Sequence, residues 1–250
     1  RKRSSAASDV YKRQVHGARP QINAALDTAG IETQIPNGLR VTERAALPHI
    51  KAAIGALRSD IEAMLSSGFA SSASGGKALH VVGGNLLTAR PLGVHNGIDY
   101  GFTGVPRRVD DKAIQAQLDL ENLLLISPLA HSPSGDSFNL GYQDIACAVA
   151  TALRADKLIF IDDESSQAGN EQHDLPSAEA LLGTEKATDT LQAAVLACRN
   201  GVPRAHLIGL DQSGQLLKEL YSRDGAGTLI YADHYDNLRA ATPEDIGAIQ

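Results

Sequence analysis

Tryptophan is absent, methionine occurs once, cysteine twice, and aromatic residues make up only 4% of the 250 positions. Two thiols do not build a disulfide-rich secreted domain. Cys147 and Cys198 lie far apart and match no metal-ligand or redox spacing, so they read as small buried side chains in a reducing compartment. The histidines show no HxH or HExxH spacing, there is no CxxC, and no metal site is expected. The phosphate loop GxxxxGK[ST] is missing, and Ser134 lies in a hairpin sequence rather than a GxSxG elbow, which argues against a serine nucleophile. No apolar run approaches the ~20 residues that span a bilayer. The basic N-terminus runs into Ser, Ala and Tyr instead of an apolar signal core, so no membrane partner and a cytoplasmic location are expected. Internal repeats and low-complexity tracts are also missing.

Positive charge is scarce outside the first residues. Arg1, Lys2, Arg3, Lys12 and Arg13 against Asp9 give the first fourteen residues +4, and -6 less +4 leaves -10 on the rest. An acidic body argues against a nucleic-acid partner. The stretch Ser4 to Gln14, SSAASDVYKRQ, resembles the conceptual translation of a sequencing adapter read in frame. Residues 1–14 are therefore set aside as an artefact, expected to be disordered, and the native N-terminus is expected further upstream. What remains is 43% hydrophobic over the whole chain, enough for one large domain or two small ones.

Val15-His16, then Gly17-Ala18-Arg19-Pro20, then a helical stretch through Ile22 and Leu26 to Gly30 reads as strand, tight turn and helix. Leu47, Ile50, Ile54, Leu57, Ile61 and Met64 recur at helical spacing, with Thr42 as the expected N-cap and Gly68 as the stop. Strands are expected at 78–82, 86–92 and 98–102, with Asn96-Gly97 as a hairpin turn in an antiparallel excursion that leads to Arg107-Arg108-Val109. The second half alternates: strand 123–126, a hairpin around Pro133-Ser134-Gly135, helix 142–153 and strand 157–161. After a polar loop over 162–176 come helix 184–199, strand 205–210, helix 214–220 and strand 228–231. Such alternation predicts an α/β fold around a mainly parallel sheet.

Gly17-Ala18-Arg19-Pro20 sits where a strand feeds a helix N-terminus, a place suited to a carboxylate or phosphate, although a purely structural turn fits equally. Arg40 is a lone cation before a helix; it suits a carboxylate ligand or a surface ion pair. His206, Glu219 and Gly225 form a third set. A helix-end carboxylate beside a glycine turn can accept a guanidinium on two oxygens, whereas an exposed glutamate and a satisfied strand histidine are the plain alternative.

In order, HGARPQINAAL, GLRVTE, VVGGNLLTARPLGV, GIDYGFTG, RRVD, SFNL, LRADKLIF, ACRNGVPRAHLI and LLKELYSRDGAGTL resemble the amino-acid-kinase-like domain of bacterial N-acetylglutamate synthases. The resemblance runs from Val15 to about Asp233 and implies a three-layer sandwich of the amino-acid-kinase type over 15–235. The segment LRAATPEDIGAI resembles the start of a GNAT acetyltransferase domain, assigning 236–250 to its truncated beginning. In that family the kinase-like domain binds L-arginine, while the GNAT domain moves acetyl from acetyl-CoA to L-glutamate. The resemblance puts Lys157, His206, Glu219 and Gly225 at the arginine-binding positions; Gly17, Arg19 and Arg40, with Asn139, form a possible carboxylate-binding site. It implies a homo-oligomer, hexameric in the family, with no cofactor held by this portion and no catalytic residue within it.

The related N-acetylglutamate kinases share the fold, and residue by residue the chain departs from them. Their glycine-rich turn becomes Gly17-Ala18-Arg19-Pro20, their organising aspartate falls on Gln143 with Asp144 one place late, and their second lysine falls near Thr190. Phosphoryl transfer needs cations to neutralise charge on the transferred group, so kinase chemistry is not expected. A non-enzymatic arginine sensor or assembly module is the remaining alternative.

Overall fold

Residues 13–67, 80–163, 171–210 and 227–232 are described by a computed structural model, and the chain divides between Ala155 and Asp156 into two compact units. In the first, β1 (Arg13–Val15) and β2 (Val81–Val82) both run parallel to β7 (Leu123–Ile126), which lies between them. The four residues of β7 are all buried, and their unbroken Leu-Leu-Leu-Ile run is what a strand covered on both faces requires. Helices α1 (Arg19–Ala29) and α2 (Leu47–Ser66) pack on each other through Ile22, Leu26, Ile50 and Ile54, with Leu129 against them. Helix α3 (Asp111–Asp119) brings Ile114 and Leu118 onto Leu124 and Ile126, and α4 (Tyr142–Ala152) adds Ile145 and Val149 to the same core.

The antiparallel excursion closes into a small barrel of β3 (Leu87–Pro91), β6 (Thr103–Val109), β9 (Ser137–Leu140) and β8 (Leu129–His131). Between β3 and β6, β4 (Val94–His95) and β5 (Ile98–Asp99) form the expected hairpin, with Asn96 and Gly97 at φ 52° and 79° as a type I′ turn demands. In the second unit, β10 (Leu158–Asp162) pairs parallel with β12 (Arg204–Gly209), which pairs antiparallel with β13 (Thr228–Tyr231), and β11 (Gln172–Asp174) lies parallel to β13 on its far side. Helix α6 (Asp189–Arg199) buries Leu191, Val195 and Cys198, whose Sγ lies 3.8 Å from the Ile230 carbonyl oxygen. Both cysteines are buried, and no described helix is long and apolar enough to cross a membrane. The α/β architecture stands, with one all-parallel sheet and one mixed sheet.

Several expectations are corrected. Thr42 caps no helix: α2 begins five residues later behind Ala46, and the Thr42 side chain is wholly buried in a polar contact described below. Only Ile50 and Ile54 of the apolar α2 positions are fully buried; Met64 is 74% exposed because the helix outruns the surface it covers. The stretch read as a loop contains β11 and the start of α5 (Leu175–Leu181), capped by Asp174 accepting from the Ser177 N–H. A strand as polar as Gln172-His173-Asp174 is held by its ladder to β13, not by its own pattern. The next helix starts at Asp189 behind a Thr188 cap rather than at 184, and α3 had no counterpart in the sequence reading. Arg13 and Gln14, set aside with the first twelve residues, pair with Leu124 and Leu125 in β1, as backbone pairing accepts almost any side chain. Gly68, helix 214–220 and residues 236–250 lie outside the described residues.

Candidate ligand-binding site

Where β1 ends, Gly17 turns the chain toward α1. A Cβ at Gly17 would stand 3.2 Å from the Tyr142 ring, so this aromatic side chain closes over the turn. A kinase would present open backbone N–H groups to phosphate oxygens at such a turn. Arg19, in the first turn of α1, donates from Nη2 to the Gly38 carbonyl at 2.7 Å and ties the turn to the loop before α2. His16 is fixed on both ring nitrogens: Nδ1 lies 3.0 Å from the Gly17 carbonyl and Nε2 2.8 Å from Ser127 Oγ. Since a carbonyl only accepts, Nδ1 carries the proton, and the neutral ring accepts from Ser127 at Nε2.

Burial holds the His16 imidazole below its ordinary 6.5; the Gly17 carbonyl opposes this and the positive charge of Arg58 adds to it. The unfolded chain then binds the proton more tightly, so this contribution is intact above the ordinary value and is lost as pH falls toward the depressed folded one. His16→Gln should flatten the fall in urea midpoint between about pH 7 and pH 5; an unchanged slope would assign the acid sensitivity elsewhere.

Arg40 lies half-buried in the loop ahead of α2, where its guanidinium donates to Thr33 Oγ1 and Asn23 Oδ1, both neutral. Burial pulls its affinity for the proton down, Arg19 pulls the same way, and Asp27 opposes. The surface ion pair that sequence alone allowed is absent among the described residues. Two arginines close enough to repel, one of them partly desolvated with no carboxylate in hydrogen-bonding contact among the described residues, suit an anionic ligand.

Asn139, buried on β9, donates from Nδ2 to Thr42 Oγ1 at 3.2 Å. Thr103 Oγ1 lies 3.0 Å from Thr42 Oγ1 and donates to the Arg40 carbonyl. A hydroxyl has one proton, so the chain must run from the Asn139 amide through Thr42 and Thr103 to the Arg40 backbone. Every link is satisfied, which holds the Arg40 loop against β6 and β9. Asn139 is thus linked to the Arg40 backbone, and Arg19 reaches the same loop at Gly38, while the ring against Gly17 is that of Tyr142; the Thr42–Thr103 link escaped sequence reading because its partners are 61 residues apart.

In the second unit, His206 is 5% exposed on β12, in register with Ile159 on β10 and Leu229 on β13. Lys157, half-buried, lies two residues before Ile159, placing it about 7 Å along the neighbouring strand from the His206 level. Lys157 and His206 therefore share one end of the sheet. Glu219 and Gly225 lie outside the described residues. Thr190, near the expected position of the kinase lysine, is wholly buried and its Oγ1 donates to Asp162 Oδ2 at 2.5 Å. A neutral hydroxyl at the start of α6 supplies no charge to a phosphoryl group. Among the described residues no cluster of His, Cys, Asp or Glu could hold a metal ion.

The Amino acid kinase family matches residues 14–209. An amino-acid acetyltransferase of Azotobacter vinelandii is 42% identical over 243 residues, which cover 94% of this chain and 56% of that protein. A second, from Pseudomonas fluorescens, has the same identity and coverage. The chain thus spans just over half the length of these curated relatives. Among solved structures, N-acetylglutamate synthase from Neisseria gonorrhoeae, complexed with coenzyme A and L-arginine, superimposes with a TM-score of 0.82 at 29% identity, covering 98% of this chain and 62% of that one.

Proposed function

The chain belongs to the amino acid kinase family, and from that premise we propose that it is the arginine-sensing domain of an N-acetylglutamate synthase. The whole enzyme would transfer acetyl from acetyl-CoA to L-glutamate, in the first step of arginine biosynthesis in the cytoplasm. Residues 15–235 would form the regulatory domain, residues 236–250 would begin the GNAT domain, and residues 1–14 would be foreign. The likeness to amino-acid acetyltransferases across 94% of the chain carries this reading. The arginine complex of the gonococcal synthase adds the ligand. Lys157 would meet the ligand carboxylate, Glu219 the guanidinium, and the backbone near Gly225 would close the pocket beside His206. Gly17, Arg19, Arg40 and Asn139 would hold a carboxylate in what was the kinase substrate site, and subunits would pair and form rings.

The domain would not transfer phosphate itself. Tyr142 covers the Gly17 turn, and the resemblance to N-acetylglutamate kinases would put Gln143 at their organising aspartate and Thr190 near their second lysine. ADP release from ATP in the presence of N-acetyl-L-glutamate should stay at background. A substrate-dependent rate would favour the kinase alternative and reject this assignment.

A further inference from the structure

A cavity of about 240 Å³ opens in the first unit between α2 and the ends of β2 and β7; no residue assigned above to a ligand lines it, and Ser127, which bonds His16, stands at its edge. Two cations from one helix line it, Lys51 and Arg58, and no aspartate or glutamate does. Seven residues apart, they stand two turns along the same face, Cα atoms about 10 Å from each other. Ile54 lies between them, and Leu129 lines the cavity as well, giving it an apolar middle. Ser127 and His131 add polar groups; His131 bonds to Ser137 through Nδ1, and its Nε2 engages no described residue.

The charges are only partly spent. Arg58 gives Nε to Glu62 at 2.7 Å, one turn further along α2 and outside the lining, which leaves its terminal nitrogens. Lys51 makes no ion pair among the described residues. The small volume excludes a nucleotide, since pockets for drug-sized ligands begin at about 300 Å³. A single phosphate would meet one cation and leave the apolar middle in contact with nothing. Two cations on either side of an aliphatic floor match a ligand charged at both ends.

We infer that this cavity is a binding site for a short aliphatic dicarboxylate, with Lys51 and Arg58 each holding one carboxylate and Ile54 and Leu129 packing on the methylenes. Calorimetric titration of the 250-residue chain with glutarate, succinate, butyrate and inorganic phosphate tests it. Glutarate or succinate should bind saturably, butyrate and phosphate at least about tenfold more weakly, and added salt should weaken the dicarboxylate. Lys51→Met, at an exposed position that should not disturb folding, should cost about tenfold in affinity, Arg58→Gln as much or more, and Lys112→Met, an exposed residue of α3 outside the lining, nothing. Absence of saturable dicarboxylate binding, equal affinity for phosphate, binding untouched by Lys51→Met, or an equal loss in Lys112→Met would each overturn the inference.

Discussion

Replacing Gly227 by alanine is expected to lower the melting temperature by about 6–12 °C, a cost of about 3 kcal/mol in a chain of this size. Gly227 has φ 75°, where an L side chain is strained, and a Cβ built on it would stand 2.1 Å from the Leu207 carbonyl oxygen. That oxygen is backbone in β12, and Leu207 is paired with Thr228 in the ladder that joins β12 to β13, so the contact cannot relax by rotating a side chain. Strain at positive φ adds about 1–3 kcal/mol to the clash. Gly30 supplies the comparison: it has φ 66° but nothing within 4 Å of its Cβ position. Gly30→Ala at the end of α1 should therefore cost about 1 kcal/mol, because only backbone strain is added. Equal melting of the two variants would show that close approach to Leu207 does not set the cost.

Glu219→Ala is expected to weaken L-arginine binding by about 30- to 1,000-fold, equivalent to roughly 2–4 kcal/mol. A guanidinium leaves water at a high cost unless a carboxylate meets its planar fork, and no other acidic residue is assigned to the arginine site. Lys157, a cation, can serve only the carboxylate end, and a single imidazole nitrogen of His206 cannot match the planar fork of a guanidinium. Lys157→Ala should weaken binding less, because a half-buried ammonium is a weaker anchor than a bidentate pair. Wild-type affinity in Glu219→Ala, measured calorimetrically, would remove Glu219 from the site.

Legibility followed how locally each element is determined. The strand at β7, the Asn96-Gly97 turn and the helix at α4 are readable because burial and turn geometry leave their marks within a few residues. Thr42 was misread for the opposite reason: its sequence context offers a helix cap, while its structure answers to Thr103 and Asn139 from distant strands. Polar β11 is specified by a partner strand and so carries no pattern of its own, although Asp174 ahead of Leu175-Pro176 was a readable start for α5. The site divides in the same way. Gly17, Arg40 and His206 could be named from motifs, but the Tyr142 ring over Gly17, the neutral partners of Arg40 and the Thr190–Asp162 bond depend on long-range packing.

The most direct test of arginine sensing is a calorimetric titration of the 250-residue chain with L-arginine and, in parallel, with L-citrulline, which keeps the shape but replaces the guanidinium with an uncharged group. Saturable arginine binding, with citrulline weaker by at least about 30-fold, is the predicted result. No heat with arginine, or equal affinity for the two, would contradict the account.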